Sequence, residues 1–305
     1  MKSFNSTFRP LIMALAVAGC LLNPPAGGQP LTATAAEEQQ HACACFEVTV
    51  TGQGPAVILI PGLASSGEVW QSTVEALKSD YQLHILTLAG FAGVAPLPAD
   101  AWDKGFLLTQ QQAILHYIAE QQLQKPVIIG HSLGGYLALA LAARAPEQIS
   151  AAINVDGLPA LGALFAQATP SDHQTTAPAG FDPMIMAQGM ANNSGWHQRI
   201  VNDMFSSDGH TSGRVMGELI QADIRPELSA IRVPVLTLGA LQHGAPYSTP
   251  EQVQQNYENQ LANAPAQFHS FAFTADAKHF IMADAPEWLN QHIQQFLHNN
   301  SVNEE

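Results

Sequence analysis

The sequence predicts an α/β protein in which one mostly parallel sheet is flanked by helices and interrupted by an inserted helical segment. Two observations lead there. Short apolar, β-branched runs alternate with longer stretches of helical periodicity, the pattern of strand–helix–strand units. That alternation lapses between residues 159 and 230 and then resumes. Phe46 to Val50 alternates with strand period and opens the folded sequence. Gly52-Gln53-Gly54-Pro55 turns the chain into Ala56 to Ile60, whose unbroken apolar run suits a strand buried on both faces. A helix is expected from about Val69 to Lys78, a strand at Leu83 to Leu88, and a longer amphipathic helix from Phe106 to Leu123. Pro126 to Ile129 reads as the next strand, Tyr136 to Ala143 as a helix closed by Pro146, and Ile149 to Val155 as a strand. The stretch 159–230 has little strand character and several methionines, among them Met184, Met186, Met190, Met204 and Met216. Val233 to Leu238 resumes the strands, Thr249 to Leu261 is helical, Ala266 to Phe273 supplies the last strand, and Pro286 to Leu297 closes as a helix.

Composition bounds the function. The chain has 305 residues, 47% hydrophobic and only 12% charged, with a formal net charge of −14. That acidity, and the absence of basic runs interleaved with aromatics, argues against nucleic acid and against adhesion to anionic lipid. Residues 1–19 read as a signal peptide: Lys2 and Arg9, then an apolar stretch too short to cross a bilayer, then Gly19-Cys20. Val17-Ala18-Gly19-Cys20 is similar to a bacterial lipoprotein signal, which would leave Cys20 as a lipidated first residue in the envelope; an ordinary secretory cut near Ala33-Thr34-Ala35 is the alternative. Residues 20–44, rich in Pro, Gly, Ala, Thr and Gln, form a flexible tether. The expected organisation is therefore a core of 45–158 and 231–305 around a helical insertion of 159–230. Cys43 and Cys45 are too close for an unstrained disulfide, and with no second pair or His cluster they make no zinc site.

The chemistry centres on Gly130-His131-Ser132-Leu133-Gly134. A strand leads into this pentapeptide and a helix leaves it, so the serine sits on a sharp, strained turn with its hydroxyl presented outward. Gly130 and Gly134 leave room for strand and helix to approach. A serine hydroxyl needs a base and an orienting acid to become nucleophilic. His279 is the expected base, since it follows the last strand and a loop could return it to the turn. His243, after the Val233 strand, is second to it, and His131 is expected to point to the other side of the turn. Asp156, at the end of the Ile149–Val155 strand, is the expected acid, and Asp276 is held in reserve. The order Ser132, Asp156, His279 is the nucleophile–acid–base order found on such sheets. Oxyanion donors are expected at the amide of Leu133, next after the nucleophile, and at that of Leu63, in the turn after the first buried strand.

Together these residues resemble the α/β-hydrolase superfamily, in the branch with a helical cap inserted after the sixth strand. The resemblance runs from about Phe46 to Leu297. It rests on Ile60-Pro61-Gly62-Leu63 with Trp70 downstream, Gly130 to Gly135, and His279-Phe280-Ile281-Met282 followed by Pro286. It implies the α/β-hydrolase fold, a Ser–His–acid triad and a two-amide oxyanion hole, with no metal or organic cofactor. In most members an Asp follows the strand placed here at Val233–Leu238, but this loop reads Gly239-Ala240-Leu241-Gln242-His243-Gly244. Placing the acid after the sixth strand instead is similar to some haloalkane dehalogenases and lipases. Dehalogenases and epoxide hydrolases use an Asp nucleophile, which Ser132 replaces. The expected activity is hydrolysis of a small-molecule carboxylic ester with a small or medium apolar acyl group. An aminopeptidase, thioesterase or acyltransferase would use the same triad, and a binding module without turnover is the reading from another class. Cap methionines, with Phe165, Phe181 and Trp196, are expected either to line the pocket or to pack between helices.

Overall fold

A computed structural model describes residues 45–165, 182–243 and 249–301. The expected signal, tether and lipid-bearing Cys20, together with Phe181, lie outside the described residues. Seven strands form one sheet: β1 (Phe46–Thr51), β2 (Ala56–Ile60), β3 (Gln82–Leu88), β4 (Val127–His131), β5 (Ala151–Val155), β6 (Val235–Ala240) and β7 (His269–Thr274). Their order is β1-β3-β2-β4-β5-β6-β7, with β1 antiparallel to β3 and every other pairing parallel. Successive residues of the central strands face opposite layers. Ile58 and Ile60 join one core with Ile128, Leu137 and Ile114, whereas Val57 and Leu59 join a second with Ile129, Leu289 and Ile293. Both faces are therefore covered, which is why these strands read as continuous apolar runs rather than alternating ones.

Helix α1 (Gln71–Leu77) is entered through a 3-10 turn at Gly67–Trp70, so the predicted start near Val69 falls inside that turn. Then come α2 (Phe106–Glu120) and α3 (Leu133–Arg144), the latter buried along nearly its whole length. Between β5 and β6 lie two 3-10 turns and the helices α4 (Pro183–Met190), α5 (Ser194–Ser206) and α6 (Gly209–Gln221). Each of these helices starts at a side-chain cap: Asp182, Asn193 and Asp208 accept bonds from backbone amides of the first turn. The insertion lies between β5 and β6, the fifth and sixth strands of the described sheet. After β6 come α7 (Pro250–Gln260), then β7, a short α8 (Ile281–Asp284) and the closing α9 (Pro286–Ser301). Cys45 is disulfide-bonded, its partner lying outside the described residues, so the geometric objection to a bridge at this pair of cysteines does not leave Cys45 as a free thiol.

Candidate active site

Strand β4 ends at His131, and α3 begins at Leu133. The single residue between them, Ser132, takes φ 55 and ψ −113. A β-carbon on Gly130 would collide with the Gly134 carbonyl, and one on Gly134 with the Ile60 carbonyl. Strand, turn and helix therefore close this tightly only because both positions lack a side chain. The Ser132 amide donates to the Val155 carbonyl at 2.9 Å, tying the bend to the neighbouring strand. Leu133 stands at the first position of α3, where the helix itself supplies no acceptor for an amide. The loop after β2 passes against this bend. A β-carbon on Gly62 would lie 3.2 Å from Ser132 Cβ and 3.1 Å from His131 Nδ1, so the turn that carries Leu63 is adjacent to Ser132.

Asp156 follows β5 directly and also has positive φ, 53. Asn154, wholly buried, braces that turn: its Nδ2 donates to the Gly157 carbonyl at 2.9 Å and its Oδ1 accepts from the Gly157 amide at 3.0 Å. The Asp156 carboxyl is thereby held at the sheet edge with four partners. Oδ1 accepts from the Ala240 amide and from the Tyr257 hydroxyl, each at 2.8 Å. Oδ2 lies 2.7 Å from His279 Nδ1 and 3.2 Å from His243 Nε2. Burial alone would raise the carboxyl's pKa, but the two imidazoles overcome it and hold the group ionised well below the usual carboxylate range. Strand β5 neighbours β6, so the loop that lacks the expected Asp is one strand from Asp156 and delivers His243 to it.

His279 reaches this point from the loop after β7, and His131 holds its main chain. His131 Nε2 donates to the His279 carbonyl at 2.9 Å, and the two rings lie 4.7 Å apart. His131 therefore packs against His279 rather than standing apart on the other side of the turn. Burial first, and the nearby His279 second, lower its pKa to about 3, so it is a neutral brace. Asp276, the reserve acid, has a backbone bond to Thr274 Oγ1, while the carboxylate on His279 is that of Asp156.

Ser132, Asp156, His243 and His279 line one cavity of about 260 Å³ together with Tyr136, Tyr257, Gly157, Gly189 and an apolar set, Leu158, Leu161, Leu164, Met190 and Leu219. Of the cap methionines only Met190 is among its described lining residues. Met186 and Met216 are exposed, Phe165 is 53% exposed, and Trp196 packs near Phe280 at 6.4 Å. Among the described residues no group of three or more His, Cys, Asp or Glu could hold a metal ion. Sequence reasoning missed Tyr257, Asn154 and Asp203. The last accepts from both the amide and hydroxyl of Ser66, each at 2.8 Å, and so fastens α5 to the loop after β2. A tyrosine in a Gln- and Asn-rich helix carries no motif that would have found it.

A family model described as "Alpha/beta hydrolase family" matches residues 57–292. The chain is 33% identical over 112 residues to the pimeloyl-[acyl-carrier protein] methyl ester esterase of Vibrio campbellii and 35% identical over 109 residues to that of Aeromonas hydrophila. The first match covers 37% of this chain and 41% of the relative, the second 35% and 40%. Among solved structures, the enol-lactonase from Burkholderia xenovorans superposes with a TM-score of 0.66 at 17% identity, covering 83% of this chain and 96% of its own. A thermophilic esterase from Thermogutta terrifontis also gives 0.66, at 19% identity, covering 84% and 93%. These likenesses place the same fold under the site just described.

Proposed function

Because this chain belongs to the alpha/beta hydrolase family, we propose that it is a serine hydrolase of carboxylic esters with small or medium apolar acyl groups. The observation that carries this reading is the convergence of Ser132, on a strained turn, with a His279–Asp156 pair at 2.7 Å in one cavity. In this mechanism His279 removes the hydroxyl proton as Ser132 attacks the ester carbonyl. The tetrahedral oxyanion is received by the amides of Leu63 and Leu133, and collapse returns the proton to the leaving alcohol. Water then attacks the acyl-enzyme by the same route and releases the acid. Asp156 fixes the tautomer of His279 through Nδ1 and stabilises the imidazolium formed in each transition state.

The cavity's lining supports the substrate class. Its volume is at the small end for a ligand site, four leucines and Met190 give it an apolar wall opposite the polar groups, and Asp156 is the one carboxylate among its described lining residues. Asp156 is already committed to its own partners, so among the described lining residues no free carboxylate faces a peptide's amine. The methyl ester esterase relatives agree with an ester as the substrate. Export, with Cys20 as the lipid-bearing first residue, belongs to the same proposal and rests on the order basic, apolar, Gly19-Cys20. Intact mass of the protein from envelope fractions checks it.

Labelling with a fluorophosphonate, coupled to hydrolysis of an activated ester, tests the catalytic reading. Wild type is expected to label and turn over, and Ser132→Ala to do neither, with kcat reduced roughly 10⁶-fold. Asp156→Asn should lose roughly 10⁴-fold in kcat because the imidazole would be held in the wrong tautomer, whereas Asp276→Asn should stay near wild type. An unreactive wild type would overturn the proposal, and loss confined to Asp276→Asn would overturn the choice of acid.

A further inference from the structure

The two oxygens of Asp156 are used unequally. Oδ1 is satisfied by two neutral donors, the Ala240 amide and the Tyr257 hydroxyl. Oδ2 faces two imidazoles, His279 at 2.7 Å and His243 at 3.2 Å. Orienting a single base requires only one of them. Their rings lie 6.2 Å apart and nearly edge-on, so they converge on one oxygen without stacking. Asp156's side chain is wholly inaccessible, but that of His243 is 25% exposed and lines the cavity that holds Ser132. The His243 side chain therefore meets solvent in part, while its buried Nε2 lies beside a carboxylate that does not.

We propose that His243 is a second positioning residue on the Asp156 carboxylate: uncharged, it leaves the Oδ2 charge to His279, and protonated, it competes for that oxygen and slows acylation. This rests on the reading of Ser132, His279 and Asp156 as nucleophile, base and acid. Acylation places a positive charge on His279, and Asp156 is the group that stabilises it. A proton already on His243 occupies the same carboxylate oxygen and adds a like charge beside the forming imidazolium, so the transition state loses stabilisation that the resting state does not need. Among the described residues, the titratable groups facing His243 are Asp156 from the end of β5 and His279 from the loop after β7, while the Tyr257 phenol of α7 binds the other oxygen of the same carboxylate. A single negative charge thus serves two rings. Burial disfavours a charge on His243, but the Asp156 carboxylate outweighs it and raises its pKa above 6.5. Because the carboxylate favours the charged ring, a proton on His243 is held more firmly than on an isolated imidazole.

The test is the proton count on the acid side of the kcat/KM profile, measured with an activated ester whose leaving group does not titrate there. Wild type is expected to lose activity through two protonations, seen as a limb steeper than one proton or as a step with an intermediate plateau. His243→Gln should convert this to a single-proton limb. A one-proton limb in wild type, or a two-proton limb that survives in His243→Gln, would overturn the proposal. If that variant does not fold, histidine-detected NMR titration of wild type and Asp156→Asn decides. The His243 midpoint should fall when the carboxylate is neutralised, and an unmoved midpoint would overturn the proposal equally. Fluorophosphonate labelling of wild type at alkaline pH is run alongside. Absence of labelling would sink the Ser132 reading itself, whereas labelling with an unchanged proton count would sink only the role of His243.

Discussion

Ser132 is a non-glycine residue held at φ 55, a conformation that costs an L-residue about 1–3 kcal/mol and that persists only because surrounding packing over-determines it. The Val155 carbonyl, the close passage of Gly130 under Gly134, and the loop at Gly62 all act on this bend. A direct consequence is that Ser132→Gly should be more stable than Ser132→Ala by about 1 kcal/mol in urea unfolding, although both lack the hydroxyl, because only glycine relieves the backbone. Equal stabilities would mean that the turn carries no strain. The positions of Ser132 and His279 were legible in the sequence because each sits at a fixed place in the chain pattern, one between strand and helix and one after the last strand. Asp156 was legible as a strand-end carboxylate. Its surroundings were not. Tyr257 and His243 join it from other elements, and that contact is a product of β5 lying beside β6, which no local pattern encodes.

At the level of elements, α2 shows how the insertion supports the core. Gly105, at φ 79, turns the chain into this helix, and the cap comes from a distant residue. Glu218 of α6 accepts from the amides of Phe106 at 3.0 Å and Leu107 at 3.1 Å, satisfying donors that have no partner within the helix. A carboxylate at a helix N-terminus also complements its dipole. Glu218→Ala is therefore expected to lower stability by about 1–2 kcal/mol in chemical denaturation, with Glu218→Gln in between because the amide keeps one acceptor. No change in either variant would show that water replaces the cap without cost. The seven strands and the core helices were readable from periodicity, since β2, β4 and β5 are sealed on both faces and hence uniformly apolar. The helical insertion was readable only as a lapse in that pattern. Its three side-chain caps, Asp182, Asn193 and Asp208, carry the local signal, but the partners of its helices do not follow from their own sequences.

Across the whole molecule, buried histidines set how stability responds to acid. Burial depresses the pKa of His131 to about 3 and of His269 to about 4, whereas both take up protons near 6.5 when unfolded. The unfolded state then binds more protons, so folding stability should fall as pH drops from about 6.5 towards 4, by up to about 1.4 kcal/mol per group for each unit of depression. His243 acts in the opposite sense: its raised pKa contributes stability that is complete below 6.5 and fades as pH rises through the folded value. Thermal unfolding followed across this range is expected to show a maximum near neutrality, with the acid-side loss reduced in His269→Gln. A melting temperature flat from about pH 7 to 4 would refute it. The insertion has a further mechanical consequence through Asp203, whose carboxylate grips both polar groups of Ser66 in the loop that carries the Leu63 amide. Removing that carboxylate, as in Asp203→Ala, would cut α5 loose from the loop beside the catalytic turn, so the insertion anchors the wall of the site as well as covering it.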